Sequence, residues 1–381
     1  MNFRDSPEQA RFRAEAAAWL DAALAGFSHA ATGASREEQS IAWQARLHRD
    51  GWAGIAWPEE YGGRGLGHVH DAIFNEEAVR RNAPMPINVI GMNLVGPTIM
   101  VHGSEAQKRR YLPRILSGEE IWCQGFSEPG AGSDLAGLQT RAVREGDDWR
   151  VNGRKIWTSW AHRAHKCILL TRTDPAAPKH RGITCLLADT ADFEIRPIVM
   201  INGDSEFNEM RIEDVKVPDA ERLGPVDGGW TVATTVLAFE RSGAALMLQV
   251  MAQQVLDRLL EAVRDAGRQG DPALRRLVGK LAGDVESLRV SGIRIMSALA
   301  AGREPGPESS TVKLIWARAI QDITRLALRE GLAGSLDALS PDGAWWADRY
   351  LRARAHSIEG GTDEVQKSII AERVLALPKS R

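Results

Sequence analysis

The sequence lacks several features that would settle its class at once. It has no surplus of charge of either sign: 48 Lys and Arg stand against 50 Asp and Glu, a formal net charge of −2. With neither a global basic excess nor an acidic tail, no nucleic-acid partner is expected and charge-based recognition must be local. No stretch approaches the roughly 18 apolar residues of a membrane span, so none is expected. The first residues do not read as a secretory signal, because Arg4, Asp5, Arg11, Arg13 and Glu15 interrupt any apolar run. Only three cysteines occur (Cys123, Cys167 and Cys185), with no Cys-x-x-Cys, and three cannot all pair. That fits a reducing compartment, and a cytoplasmic protein is the expectation. Internal repeats, low-complexity segments, a Gly-x-Ser-x-Gly elbow and a Rossmann fingerprint are all missing. His68/His70 and His162/His165 lack the carboxylates and spacing of a metal site, so no metal is expected.

What is present is enough chain, 381 residues at 44% hydrophobic and 26% charged, for two or three domains with their own cores. Periodicity divides it into three zones. Residues 1–119 read as a helical domain. Ser6-Pro7-Glu8-Gln9 supplies an N-cap, a proline at the first helical position and a Gln at the third, and Phe12, Ala16, Trp19, Ala23 and Leu24 follow at helical spacing. A Gly-rich loop at 57–63 interrupts the helices, and Ser104 with Gln107 marks another start. Residues 120–220 read as a small β-domain. Asn152-Gly153 predicts a two-residue hairpin turn between short strands at 149–151 and 155–157. Further strands are expected at 121–126, 167–170, 183–187 and 193–199. Residues 221–381 return to long helices, roughly 229–266, 271–301, 309–331 and 363–376, which suggests a bundle. The fold class is α+β multidomain.

Ser127-Glu128-Pro129-Gly130-Ala131-Gly132-Ser133-Asp134 follows the strand at 121–126. Glycines let a backbone approach a ligand, and consecutive N–H groups can form an anion-binding nest. Alone, such a cluster is an ordinary surface turn. In context it resembles the signature of the acyl-CoA dehydrogenase family, a Ser/Thr-Glu-Pro-x-x-Gly-Ser-Asp run after a strand at the start of the β-domain. Gly153-Arg154-Lys155-Ile156-Trp157-Thr158-Ser159 is similar to the family's second β-domain motif, and Phe207-Asn208-Glu209 before Val215-Lys216-Val217-Pro218 to its β-domain exit. Ile358-Glu359-Gly360-Gly361-Thr362-Asp363-Glu364-Val365-Gln366 resembles the C-terminal Gly-Thr-x-x-x-Gln helix start. The four segments occur in order across nearly the whole chain.

The resemblance implies an N-terminal helical domain, a middle β-barrel and a C-terminal four-helix bundle. It also implies FAD as cofactor, an acyl-CoA thioester oxidised to the 2-enoyl-CoA, and an electron-transfer flavoprotein as electron acceptor. Carried over by residue, Phe126 and Ser127 contact the flavin pyrimidine edge. Gly132 and Ser133 lie near the flavin or its phosphates, Ser133 also facing substrate. Trp157 flanks the isoalloxazine, and Ser159 lies near flavin N5. Thr362, with Glu364 beside it, opens a helix whose N-terminus suits the FAD pyrophosphate.

The chemistry needs a carboxylate to take the α-proton, partly desolvated so that its pKa rises. Many family members place this Glu immediately before the Gly-Thr of the C-terminal motif. Here that position is Gly360, and the neighbouring Glu359 falls where the family usually has an aromatic residue. A minority, including isovaleryl-CoA dehydrogenase and long-chain acyl-CoA dehydrogenase, places the base before an Arg on the first long helix of the C-terminal domain. Phe239-Glu240-Arg241 stands at that point. A helical Glu is ordinarily solvated, but Val236, Ala244, Met247, Met251 and Val255 put Glu240 on an apolar stripe. Glu240 is the candidate base and Arg241 a candidate substrate contact. Gly360 keeps a backbone N–H for the thioester carbonyl, and its missing side chain leaves room for a bulky or branched acyl chain.

Two family motifs are missing. Where Arg-x-x-Phe-Gly is usual the chain reads Val263-Arg264-Asp265-Ala266-Gly267-Arg268, and where Gln-x-x-Gly-Gly is usual it reads Arg329-Glu330-Gly331-Leu332-Ala333-Gly334. Both motifs grip the ADP half of a neighbouring subunit's FAD. The expectation is therefore a homologous partner subunit in an α2β2 heterotetramer, with a homo-oligomer in which Arg264, Arg268, Arg275 or Arg276 substitutes as the alternative. Two other functional readings stay open: an acyl-CoA oxidase or related flavin monooxygenase on this scaffold, and a non-catalytic subunit of a heteromeric dehydrogenase.

Overall fold

The structure, a computed structural model, describes residues 5–25, 27, 35–243, 245–301, 303, 306–335, 337 and 339–378, without the side chains of 36, 241–243, 245, 246, 299, 300, 308 and 333. The first five helices are α1 (Pro7–Leu24), α2 (Arg36–Arg49), α3 (His68–Arg80), α4 (Gly96–His102) and α5 (Glu105–Ser117), with a π-helical turn over Gly91–Val95 leading into α4. Reciprocal caps start two of them where the sequence places them. The Ser6 hydroxyl accepts from the Gln9 N–H (3.2 Å) while the Ser6 N–H donates to Gln9 Oε1 (2.8 Å), and Ser104 and Gln107 repeat the arrangement on α5.

The middle of the chain forms β1 (Trp122–Gly125), β2 (Arg141–Glu145), β3 (Asp148–Ser159), β4 (Lys166–Arg172), β5 (Ile183–Asp189), β6 (Glu194–Pro197), β7 (Phe207–Pro218) and β8 (Arg222–Leu223). They make one sheet in the order β6-β7-β3-β2-β4-β5-β8, with β1 parallel to β4. Cys123, Ala142, Val151, Leu169, Leu186, Met210 and Val217 share one buried core although they come from opposite flanks of the sheet, so the sheet curls around it.

The expected Asn152-Gly153 hairpin does not form. β3 runs straight through both residues, and the β2–β3 turn is the two-residue loop Gly146-Asp147, with Gly146 at φ +64°. Asn152-Gly153 instead marks a register shift against β7. Asn152 exchanges bonds with Asp214 there (3.1 and 2.9 Å). A Cβ on Gly153 would meet Thr140 Oγ1 at 2.4 Å. A bulge and a close backbone approach select the same residues as a hairpin turn, which is why the motif misleads.

The last third contains α6 (Gly229–Gly243), α7 (Ala245–Asp265), α8 (Pro272–Ala300), α9 (Ser310–Arg329), α10 (Pro341–Arg352) and α11 (Asp363–Ile369), the last continuing into a π-helical turn over Ile370–Val374. The helix expected over 229–266 is helical over Gly229–Gly243 and Ala245–Asp265. Ala244, on the expected Glu240 stripe, lies outside the described residues. Helix α10 was not expected, although Ser340 caps it and Pro341 opens it. Among the described residues no helix is long and apolar enough to cross a membrane.

Two compact units result, and neither is continuous in sequence. One comprises Met1–Ala22, Gly67–Ala83 and Arg241–Arg381; the other, Ala23–Leu66 and Pro84–Glu240. The first packs α3 on α7 and α8 and is centred on Leu256, Leu259, Val285, Leu288, Ile323 and Trp346. The second carries the sheet with α2, α4 and α5.

Candidate active site

In the sheet unit, the signature segment is a tight turn held from beneath. Glu128 and Ala131 exchange two backbone bonds of 3.0 Å around Pro129-Gly130. Phe126 is buried, Ser127 half-buried, and the Ser127 carbonyl accepts from the Ile156 N–H of β3 (3.0 Å). The Lys155 side chain is fully buried, and its Nζ donates to the Phe126 carbonyl (3.1 Å) and to Glu128 Oε1 (2.8 Å). Glu128 also accepts from the Gln139 and Thr140 N–H groups (2.6 and 2.8 Å). Burial pushes the Lys155 ammonium down from its ordinary pKa, with Glu128 opposing. Burial raises the Glu128 carboxyl, but Lys155 and the amide donors hold it net below the usual carboxylate range. Above this lock Gly132 and Ser133 are exposed, with open space around Gly132.

Two residues beyond Lys155, β3 bulges again, between Lys155 and Thr158. Trp157 takes φ +60° and is 56% exposed, its ring edge-on to Phe207 at 6.1 Å. Trp160 takes φ +58°. Left-handed aromatics cost on the order of 1–3 kcal/mol each and cluster at functional sites. Buried Asn208 clamps the segment. Its Nδ2 donates to the Thr158 carbonyl (3.0 Å) and its Oδ1 pairs with His162 Nδ1 (2.9 Å). Ser159 is half-buried, while Thr158 Oγ1 is buried without a partner among the described residues. Asn208 and Lys155 as clamps were missed in the sequence, although both lie inside quoted motifs.

Glu240 closes this unit. It is half-buried at the end of the α6 face formed by fully buried Val232, Ala233 and Val236. Arg241 follows it in α6, its side chain outside the described residues.

In the helical unit, Gly360 and Gly361 take φ +62° and +87°, a double left-handed turn suited to glycine. The Gly360 carbonyl accepts from Gln366 Nε2 (2.9 Å), and its N–H has no acceptor among the described residues. Glu359 accepts from Arg352 (Nη1 to Oε1 3.1 Å, Nη2 to Oε2 2.9 Å) and pairs with His356 Nδ1 (2.7 Å). Burial would raise this carboxyl, but the His356 and Arg352 bonds win and hold it at about 2. Burial pushes the His356 ring down, with Glu359 opposing, and the ring lies 4.1 Å from that of Trp316. Glu359 is thus a fixed carboxylate, unsuited to take a proton near neutrality.

Thr362 caps α11 by accepting from the Val365 N–H (3.2 Å). Asp363 pairs with Lys313 (3.0 Å), and the Glu364 carboxyl is held below its usual range by its own N–H and the Thr362 hydroxyl. The turn expected to face the pyrophosphate therefore already carries two carboxylates. Elsewhere in this unit Arg268 pairs with Asp271 (2.8 Å) and Glu330 (3.0 Å), joining the two segments that lack the family's ADP-gripping motifs.

Family models described as the N-terminal, middle and C-terminal domains of acyl-CoA dehydrogenase match residues 6–119, 123–215 and 227–375. Acyl-CoA dehydrogenase IpdE1 of Mycobacterium tuberculosis is 39% identical over 379 residues, covering 97% of each chain. The chain belongs to the acyl-CoA dehydrogenase family. Its fold is that family's: an N-terminal helical domain, a middle sheet domain and a C-terminal helical domain. It is accordingly an oxidoreductase of the acyl-CoA dehydrogenase kind. Two solved structures cover 100% of this chain and of themselves at TM-score 0.86 and 31% identity. One is described as the Tcur3481-Tcur3483 steroid ACAD, the other as the ChsE4-ChsE5 complex from Mycobacterium tuberculosis.

Members of the family are flavoproteins, and the residues present fit a flavin. The acyl-CoA dehydrogenase signature turn offers exposed hydroxyl and main-chain groups at Gly132 and Ser133, and β3 offers an exposed indole. The strain at Trp157 and Trp160 is retained around a buried hydroxyl that the protein leaves unpaired among the described residues.

Proposed function

We propose that this acyl-CoA dehydrogenase is a catalytic, FAD-dependent enzyme that converts an acyl-CoA to its 2-enoyl-CoA with Glu240 as the base. The observation that carries the assignment is the condition of the alternatives: Gly360 has no side chain, and Glu359 is committed to Arg352 and His356 at a pKa of about 2. Glu240 is half-buried at the end of the apolar face of α6, directly before Arg241, at the other position where the family places its base. It takes the proton from Cα as that C–H bond breaks. The electron pair left by the Cα–H bond becomes the Cα=Cβ π bond as a hydride leaves Cβ with the pair of its own bond, and FAD, when bound, would supply the acceptor for that hydride. The Gly360 N–H, without an acceptor among the described residues, donates to the thioester carbonyl as negative charge develops there. Phe126, Ser127, Gly132, Ser133, Trp157 and Ser159 hold the flavin, Thr362 and Glu364 lie toward its phosphates, and Ser133 and Arg241 contact substrate.

Glu240→Gln keeps size and removes basicity. Flavin bleaching by acyl-CoA in stopped flow should slow by about three orders of magnitude or more while FAD stays bound. Bleaching at the parental rate would reject the assignment.

We further propose that the electrons pass to an electron-transfer flavoprotein and that the working assembly is an α2β2 heterotetramer. The ADP half of FAD needs cationic or amide donors, and Arg268, one candidate substitute, is already engaged by Asp271 and Glu330. The similar structures carry two chain names each, Tcur3481-Tcur3483 and the ChsE4-ChsE5 complex, which supports this reading, and because the first is a steroid ACAD a bulky polycyclic acyl-CoA is the first substrate to try. Full FAD occupancy in an active homo-oligomer of this chain alone would remove the need for a partner.

A further inference from the structure

Glu359 is not the base proposed above, yet it is the most heavily engaged carboxylate in the turn that carries Gly360. Its backbone N–H donates to the Ala355 carbonyl (2.9 Å), both its oxygens are gripped by Arg352, and His356 adds a third side-chain bond. Arg352 ends α10, and the His356 ring packs at a tilt against Trp316 of α9. One residue further on, Gln366 of α11 draws in the Gly360 carbonyl, and Lys313 of α9 pairs with Asp363. Three helices thus converge on the turn around Gly360 and leave the Gly360 N–H itself without an acceptor among the described residues. A double left-handed turn with no side chains of its own to pack cannot hold its orientation unaided, since glycine loses the most freedom on ordering.

We propose that Glu359 is a positioning residue: clamped by Arg352 and His356, it fixes the peptide plane that presents the Gly360 N–H to the thioester oxygen. This rests on the dehydrogenase reading and adds to it a device for holding the oxyanion donor that the base substitution does not touch. The charge of Glu359 never enters the reaction; its bonds set an angle. Donor orientation is costly to lose, because stabilisation of a developing enolate depends on alignment more than on proximity.

The test compares Glu359→Gln, Arg352→Lys and Glu240→Gln in the FAD-loaded enzyme. Glu359→Gln should lower kcat by about tenfold to a hundredfold with KM changed less than about threefold, because a misaligned donor weakens the transition state more than binding. A 3-thia analogue of the best acyl-CoA can lose its α-proton but has no β-hydride to give, so its enolate reports through a long-wavelength charge-transfer band with the flavin. In Glu359→Gln that band should appear about one pH unit higher, a tenfold loss in enolate stabilisation. Amide exchange at 360–362 in the substrate-free protein should quicken. Arg352→Lys, which keeps charge but loses the two-pronged grip, should move all three readouts the same way by less, and decides the matter if Glu359→Gln does not fold. Parental kcat, band and exchange in a folded variant would overturn the proposal. So would a dead Glu359→Gln beside an active Glu240→Gln, which would make Glu359 the base. If the dehydrogenase reading itself fails, the wild type gives neither bleaching nor band, and the proposal falls with it.

Discussion

The turn after β1 and the turn before α11 are both fixed by an ion pair beneath them, but in different surroundings. Lys155 and Glu128 are 0% and 7% exposed at their side chains, whereas Arg352 and Glu359 are 20% and 29%. In the dry interior one pair suffices, because Coulomb attraction is little screened and Glu128 also collects two backbone donors. Near water one pair contributes little, and the C-terminal turn adds His356 and the Gln366 bond to its Arg–Glu pair, where the β-domain uses one cation. A buried lock is strong and brittle; a half-exposed lock is weak and must be redundant. If that contrast is right, the same kind of substitution should have very different consequences at the two turns.

The largest effect is expected on the buried side. Lys155→Met removes the cation and strands Glu128, and should cost about 3–5 kcal/mol in denaturant unfolding. Adding Glu128→Gln should recover part of that loss, since no buried charge is then left unpaired. A single substitution costing no more than Arg352→Lys would erase the contrast between the turns.

A smaller steric effect should appear next to the same lock. Gly153→Ala places a Cβ 2.4 Å from Thr140 Oγ1 and 2.6 Å from Thr140 Cα. Thr140 cannot retreat freely, because its N–H is bonded to Glu128 (2.8 Å). The cost should be about 1–3 kcal/mol by thermal or chemical melting. A neutral Gly153→Ala would mean that the strand relaxes and the lock is softer than its burial implies.

What the sequence disclosed followed how local each interaction is. The capping boxes at Ser6 and Ser104 are three-residue patterns and form as read. The Glu128–Lys155 pair spans 27 residues and crosses from loop to strand, so no spacing rule could find it. Asn152-Gly153 carried a true backbone signal with two physical meanings, and the bulge prevailed because Thr140 crowds the position. The Glu359 cluster was within reach: Arg352 and His356 precede it by seven and three residues. It was missed because α10, which supplies Arg352, was not recognised from Ser340-Pro341. The Gly360 N–H is expected as a donor from its place in the C-terminal motif, whereas the left-handed angles of Gly360 and Gly361 are encoded by no side-chain pattern.

The smallest effect concerns acid, and it isolates the half-exposed lock. The folded-state pKa of Glu359, about 2, lies below the ordinary glutamate value. The folded state therefore binds this proton more weakly than the unfolded chain does. Glu359 contributes stability that is fully present above the unfolded pKa of about 4.3 and is lost as pH falls from there toward about 2. His356 acts in the same sense: burial lowers its pKa, so its contribution is present above about 6.5 and declines as pH falls through the depressed value. Glu128 too is held below its ordinary range, so total acid sensitivity cannot separate the two turns. The difference between wild type and Glu359→Gln can, because Glu128 cancels in it. With 29% of the Glu359 side chain exposed, screening should keep that difference near about 1 kcal/mol at neutral pH. It should shrink steadily from about pH 5 to about pH 3 as the wild-type carboxylate takes up its proton. A difference that stays constant across that interval would show that the Arg352 and His356 contacts do not depend on the charge of Glu359, and that the turn before α11 is held by shape alone.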